Sequence, residues 1–542
     1  MLKKDDTQMI QQLVEEVAFW RAEAQHWHGE ADRLAAENVA LRTRVSELES
    51  QVGVLTEQVA TLSKMLFGRS SEKTPPPLTA RDVVATDDEG GQGESQRRGQ
   101  RPGSLGHGRR DYSHLETEDV FHDVSDDEKC CQECGAAYSP YGEETCEQID
   151  WIVKITRVIH HRRSYRRNCS CDTPGIVIAP PVPKAIAKGR FTSRFLARLC
   201  IEKFCFGMPV NRIVGSLGLS GAEFSTGTLT GSLKAISELF EPLDRAIQAR
   251  NAQAAHLHVD ETSWSVFAEI ANKDSKLWWL WVFVGPDTTV FRIEPSRSMV
   301  PLNDHLGIVA NKLPDGHEVI VSSDFYAVYQ SLNQNVEGFD SLWCWAHIRR
   351  YFIRAGDAHK ELCQWRDDWV LRIAALYAAH SAINEAETES TERANGLQSF
   401  DQAIQEMDKT RKQQSGDETL HAAAHKVLAT LDNEWQGLVA HRYHVELPLD
   451  NNGAERALRT PVVGRKNYNG SGAIWSAKLA SRSWTIITTA QRCGLNPLTY
   501  LTAYLDACGE NGGKPLGQQA LTRFLPWAAS EDDLNSWRGP PP

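Results

Sequence analysis

The chain has 542 residues, 41% of them hydrophobic and 24% charged, with a formal net charge of −12. That length exceeds one compact domain and permits sizeable cores, while the acidic balance excludes a uniformly basic nucleic-acid binder but not local basic patches. Twelve cysteines without a signal peptide do not make a secreted disulfide scaffold, and the longest clean apolar run, Leu277–Val284, is too short to span a bilayer. A cytoplasmic protein with no membrane partner is expected.

Residues 1–67 carry an unbroken heptad pattern. Leu13, Trp20, Trp27, Leu34, Leu41, Leu48, Leu55 and Leu62 fall at d, and Ile10, Val17, Ala24, Ala31, Asn38, Val45, Val52, Val59 and Leu66 at a. Val at a with Leu at d favours a parallel two-stranded coiled coil, and one Asn at a fixes its register. The pattern predicts a leucine zipper and a homodimer or higher assembly. The alternative is a long amphipathic helix packed on its own domain. Residues 68–118 are rich in Pro, Gly, Ser and mixed charge, which predicts a disordered linker with a basic Arg97-to-Arg110 stretch.

In residues 119–183, Cys131-x-x-Cys134 and Cys169-x-Cys171 have the paired-knuckle form of a small zinc ribbon. The second pair is one residue tight, so Cys130, Cys146, His160 or His161 could replace a ligand; buried free thiols are the other reading. From Trp151 to Cys171 there is no acid, and Arg162, Arg163, Arg166 and Arg167 form a basic patch suited to DNA. Residues 184–250 read as helical. Within them Pro209 to Leu229 predicts a helix, a Gly-containing turn and a second helix opened by Ser220, in helix-turn-helix form. A helical hairpin used only for packing fits as well.

From 251 the pattern changes to strands, at 256–264, 277–284, 288–294, 318–323 and 341–345, with a helix at 299–309 before the fourth. Residues 346–444 are helical and polar, 445–492 resume the core, and 493–542 form a C-terminal helical segment and tail. This order predicts a multidomain α+β chain whose catalytic core is RNase H-like, interrupted after its fifth strand by an α-helical insertion.

Three acids stand in this region: Asp260 in HLHVDETSW, Asp324 in EVIVSSDFYAVY and Glu455 in NNGAERALR. Alternation puts His256, His258, Asp260 and Thr262 on one face of the first strand and Glu261 on the other. Asp324 emerges at a strand end, and Glu455 lies one turn into a helix capped by Asn451 or Asn452. Carboxylates gathered from distant segments suit Mg²⁺ or Mn²⁺, which favour hard oxygen ligands, and two such ions can clamp the attacking and leaving oxygens of a phosphodiester. Singly, each acid has another explanation: Asp260 as a strand-end acid, Asp324 as a helix cap, Glu455 as the partner of Arg459. From Arg456 to Leu505 there is again no acid, and Arg456, Arg459, Arg465 and Lys466 are expected to face polyanion. Cys344 and His347 are expected to support the fold, a second zinc site being the alternative, with Arg349 and Arg350 contacting phosphate.

Taken together these segments resemble the bacterial transposases of the Insertion Sequence 66 family. The resemblance runs almost end to end: LFGRSSEK after the heptads, the cysteine pairs, DET at Asp260, SDFYAVY at Asp324, CWAHIRRYF at Cys344, NNGAERALR at Glu455 and AQRCGLNPLTYLTAYL from Ala490. The second cysteine pair departs from the family's C-x-x-C, and the linker is longer and more acidic. The resemblance implies DDE-type transposition, with Asp260, Asp324 and Glu455 holding two Mg²⁺ ions, DNA ends and target DNA as partners, accessory proteins encoded by the element and a nucleoid-associated location. Two rivals remain: a metal-dependent nuclease of the same fold without strand transfer, and an inactive dimeric DNA-binding regulator.

Overall fold

A computed structural model describes scattered helical residues between Val17 and Arg44, and then residues 117–539 apart from 124, 130, 132, 140–144, 147, 150–152, 167, 169–175, 269–274 and 315. Contacts divide the chain into Met1–Arg101 and Pro102–Pro542. In the first unit Val17 and Leu41, an a and a d position of the heptads, are exposed on the single chain. The rest of the coiled-coil seam, linker residues 68–116, and Cys169, Cys171 and Arg167 lie outside the described residues.

In the second unit, β1 (Ser164–Arg166) and β2 (Ile176–Ile178) pair antiparallel as an exposed ribbon, Tyr165 opposite Val177. Helices follow: α1 (Ser193–Cys200), continued by a π-helical turn at Ile201–Cys205, then α2 (Val210–Leu219), α3 (Thr226–Ser237) and α4 (Glu241–Ala252). The hairpin of α2 and α3 differs from expectation in one respect. Ser225, not Ser220, opens the second helix, its hydroxyl accepting from Thr228 N at 3.1 Å. Gly221, at φ +80°, lengthens the turn by folding left-handed where side chains are strained.

Five strands form the central sheet: β3 (His256–Ser265), β4 (Leu277–Val284), β5 (Thr289–Glu294), β6 (Val319–Ser323) and β7 (Phe339–Trp343). Their spatial order is β5-β4-β3-β6-β7. β3, β4 and β5 run antiparallel in turn, whereas β6 pairs parallel to both β3 and β7. β4, LWWLWVFV, is buried along most of its length, which explains an apolar run without alternation. Between β5 and β7 come α5 (Val300–Leu306) and α6 (Ala327–Asn335).

After β7 the chain leaves the sheet through α7 (Trp345–Ala358), α8 (Cys363–Glu385), α9 (Thr391–Ser415) and α10 (Ala422–Val439). This segment was expected to be largely polar, yet it has its own core: Phe352, Trp369, Ile373, Met407 and Leu431 are fully buried. Helix α11 (Asn452–Tyr468) then returns to β3, and α12 (Ile474–Arg492) packs on β5. Thr489 and Thr485 of α12 accept from the N–H groups of Thr289 and Phe291 at 3.1 and 2.9 Å. Those donors would otherwise be open at the sheet edge. Helices α13 (Pro497–Glu510), α14 (Gln518–Thr522) and α15 (Glu531–Trp537) complete the unit.

The stretch without acids needs correction here. Most of α12 and the inner face of α13 are buried, Leu479, Ala480, Trp484, Ile486, Leu501 and Leu505 among them. Burial of an unpaired carboxylate is costly, and that excludes acids there without any appeal to DNA. Arg482 serves the fold, donating to Ser237 O at 2.8 Å, and Arg492 donates to Pro286 O at 2.9 Å.

Candidate active site

The register of β3 with β6 brings the first two acids together. His256, Leu257 and His258 face Ile320, Val321 and Ser322. Carried two residues past the last paired position, the same offset brings Asp260 next to Asp324, whose charge acts on it. Along β3, Leu257, Val259 and Glu261 are buried, while His256, His258, Asp260 and Thr262 share the more open face. Asp324 follows directly on β6, and its Oδ1 accepts from Tyr326 N at 3.0 Å, fixing the carboxylate over the turn into α6.

Glu455 arrives from nearly two hundred residues away, and a clasp at the start of α11 holds it. Asn451, fully buried, donates from Nδ2 to Val259 O at 2.7 Å, and its Oδ1 lies 3.2 Å from His258 Nδ1. Asn451 N donates to Cys344 Sγ at 3.1 Å, and Cys344 N to Ser323 O at 3.1 Å. At Gly453 a Cβ would sit 3.0 Å from His258 Cδ2, so the missing side chain lets the helix lie this close to β3 without pushing the His258 ring aside. Cys344 therefore ties β6, β7 and α11 together, and burial pushes its thiol up to about 12.

The charges of the three acids reach one another. Burial first, then the neighbouring charges of Glu261, Asp324 and Glu455, push the Asp260 carboxyl up to about 8. Glu261 is satisfied on the other face, 2.7 Å from Arg297 Nη2 and accepting from Tyr329 Oη at 2.7 Å. Arg297 in turn stacks on Tyr326 at 3.9 Å. The Arg350 guanidinium pairs with Glu455 Oε1, and His347 Nε2 lies 3.8 Å from that oxygen. His347 is lowered by burial first and by Arg350 next. Three carboxylates with one guanidinium among them form a hard-oxygen donor set of the kind that suits Mg²⁺ or Mn²⁺, and the raised Asp260 marks a place short of positive charge.

The remaining expected contacts divide. Arg162, Arg163 and Arg166 are exposed on the ribbon, although Arg162 also donates to Ala179 O at 2.6 and 2.8 Å. Arg456, Arg459 and Lys466 are exposed along α11. Arg465 is committed to the fold, bonding Ser263 O and Thr262 Oγ1 of β3. Arg350 is held on Glu455, and Arg349 is partly buried. Cys131 and Cys134 form one knuckle: Gly135, at φ +72°, donates to Cys131 O at 2.8 Å, and Cys131 N donates to Ala136 O at 2.9 Å. Hydrogen bonds from the Cys134 and Glu133 backbone, then from the Cys134 side chain, lower the Cys131 thiol to about 7. Cys146 is exposed.

Sequence reasoning missed the Arg297–Glu261–Tyr329 group, the Asn451–Gly453–His258 clasp and a cluster of His359, Glu361 and His421. The last has the look of a metal site, with His421 Nε2 3.5 Å from Glu361 Oε1. However, His421 Nδ1 accepts from Ala423 N at 3.1 Å as the cap of α10, which leaves the ring proton on Nε2, facing Glu361. Asn-Asn-Gly at 451–453 was the one visible trace of the clasp; its partners are distant in sequence.

The chain is 24% identical over 421 residues to uncharacterized protein y4hP of Sinorhizobium fredii (strain NBRC 101917 / NGR234), covering 73% of this chain and 72% of that one. It is 23% identical over 440 residues to uncharacterized protein y4jD of the same organism, covering 78% and 82%. Residues 188–479, from the start of α1 into α12 and spanning all three acids, match the model of the Transposase IS66 family, and the chain belongs to that family.

Proposed function

We propose that this chain is a DDE-type DNA transposase with an RNase H-like core, in which Asp260, Asp324 and Glu455 hold two Mg²⁺ (or Mn²⁺) ions. The observation that carries the reading is the β3–β6 register that sets Asp260 beside Asp324, with the α11 clasp bringing Glu455 to the same place. When bound, the ions supply Lewis acidity and neutralise charge on the attacking and leaving oxygens. The protein's own part is positioning. Tyr326 N orients Asp324, Asn451 and Gly453 seat the helix bearing Glu455, and Arg297 with Tyr329 keeps the Glu261 charge occupied.

In this reading water attacks the phosphodiester at each end of the element, releasing a 3′-OH, and that hydroxyl then attacks target DNA in line. Phosphoryl transfer of this kind needs orientation and charge neutralisation rather than a covalent enzyme intermediate. Arg456 and Arg459 stand on the exposed side of α11 where DNA would pass. Cys131 and Cys134, with Cys169 and Cys171, would hold structural Zn²⁺, and the heptads would pair two chains, as joining two ends requires.

The test is strand transfer in Mg²⁺ by purified protein, using duplexes that carry the DNA flanking the reading frame and a plasmid target. Joined products that disappear in Asp260→Asn, Asp324→Asn and Glu455→Gln are expected. Cleavage without joining would favour a nuclease, and DNA binding without cleavage an inactive regulator.

A further inference from the structure

At the end of β3 remote from Asp260 lies a cavity of about 380 Å³, enclosed by the π-helical turn, α3 and the loop joining α11 to α12. Its walls include Val210, Leu233 and Leu479, and its polar features are few. Lys203 Nζ lies 4.2 Å from the centroid of the Tyr468 ring and 5.5 Å from that of Phe204. Lys234 Nζ lies 5.9 Å from the ring of Trp475, another lining residue. Neither lysine pairs with a carboxylate among the described residues. The Tyr468 hydroxyl is buried and has no hydrogen-bond partner there. Burial draws the Lys203 ammonium down to about 8.

A mostly apolar cavity of this size, with a few convergent polar groups and a dehydrated cation, has the make-up of a small-molecule site. Lys203 in the wall and Lys234, solvent-exposed beside Trp475, place two positive charges at this cavity, which suits an anion. Aromatic rings beside them offer stacking to a planar heterocycle, the combination that proteins use to bind unpaired nucleotides.

Position adds a second argument. The loop is fixed to the end of β3, Ser471 N donating to Ser265 O at 2.8 Å. Five residues of strand separate Ser265 from Asp260, or about 17 Å at about 3.3 Å per residue. DNA advances about 3.4 Å per nucleotide, so a strand that followed β3 from the carboxylates would reach the cavity about five nucleotides from the cut.

We propose that this cavity receives one unpaired nucleotide, its base against Trp475 and Tyr468 and its phosphate facing Lys203 and Lys234. The nucleotide is either turned out of bound DNA or taken free from solution; its chemistry is the same, and only the first source rests on the function proposed above.

Calorimetry with deoxyadenosine 5′-monophosphate on the full chain tests the site. Binding is expected to weaken at least about tenfold in both Lys203→Met, which removes the charge, and Thr230→Trp, which fills the space. Inorganic phosphate and deoxyribose 5-phosphate are expected not to compete. No binding by the native chain, binding by both variants as tight as by the native chain, or full competition by phosphate alone would overturn the proposal. To separate the sources, 5-iododeoxyuridine is placed singly along a duplex and irradiated. A cross-link to Trp475 about five nucleotides from the cut assigns the DNA source, and its absence beside retained mononucleotide binding assigns the free one. Asp260→Asn is expected to lose Mg²⁺ binding and keep nucleotide binding, so failure of the carboxylate site and failure of the cavity read out separately.

Discussion

Asp260 is the residue on which the chemistry and the stability of this protein conflict. Its carboxyl is raised to about 8, against an ordinary value near 3.8, by burial and by three neighbouring carboxylates. A raised acid contributes its full stability below the unfolded value and loses it as pH rises through the folded one. Asp260→Asn is therefore expected to stabilise metal-free protein above pH 8, seen as a higher melting temperature, with the gain fading toward pH 4. Thermal melts across that range check the sign. Mg²⁺ should raise the melting temperature of the native chain and leave the variant unchanged. Arg350 is the counterpart, a cation that occupies Glu455. Arg350→Met is expected to tighten Mg²⁺ binding about tenfold by calorimetry, because a competing charge is gone, while lowering the rate of DNA cleavage. At this scale the sequence was legible for Asp260 and Asp324, whose strands announce themselves by alternation and apolar runs. It was not legible for Arg350 or Arg465, where a lone arginine reads alike whether it meets phosphate or a carboxylate and carbonyl of its own chain.

Elements carry the second group of expectations. The approach of α11 to β3 depends on Gly453, where an added Cβ forces the His258 ring to give by a few tenths of an ångström. Gly453→Val should cost about 1–3 kcal/mol in urea unfolding and reduce cleavage further than stability alone explains, since it displaces Glu455. Removing the Thr485 hydroxyl as Thr485→Val leaves the Phe291 N–H without an acceptor in the core, at about 1–3 kcal/mol by the same measurement. Five strands and their order of appearance were readable because β4 is continuous apolar sequence and β3 alternates. Ser225 as the cap of α3 was misplaced by five residues, because Ser220 precedes an equally plausible helix and only Gly221's left-handed backbone decides between them. The acid-free run after Glu455 misled for a general reason: burial and polyanion contact both remove carboxylates, and composition does not distinguish them.

For the whole molecule, every buried hydrophobic side chain of the described core lies between Ala185 and Trp537, within Pro102–Pro542. Deleting residues 1–101 is therefore expected to leave a cooperatively melting protein, and, if the heptads pair, light scattering should show a monomer in place of a dimer. The gathering of the three acids was expected from their motifs, but the contacts of Asn451, Cys344 and Gly453 that seat α11 on β3 were not legible, because only long-range packing makes them. Where the chain departs from β7 and where it comes back, Trp345 N donates to Leu449 O at 3.0 Å and Asn451 N donates to Cys344 Sγ at 3.1 Å. A hundred residues of helix are thus a detour whose entrance and exit touch. Insertions of that kind can grow, shrink or be exchanged between relatives while the two ends stay pinned. The third carboxylate keeps its address whatever the detour becomes, leaving those helices free to diverge toward new partners without disturbing the reaction.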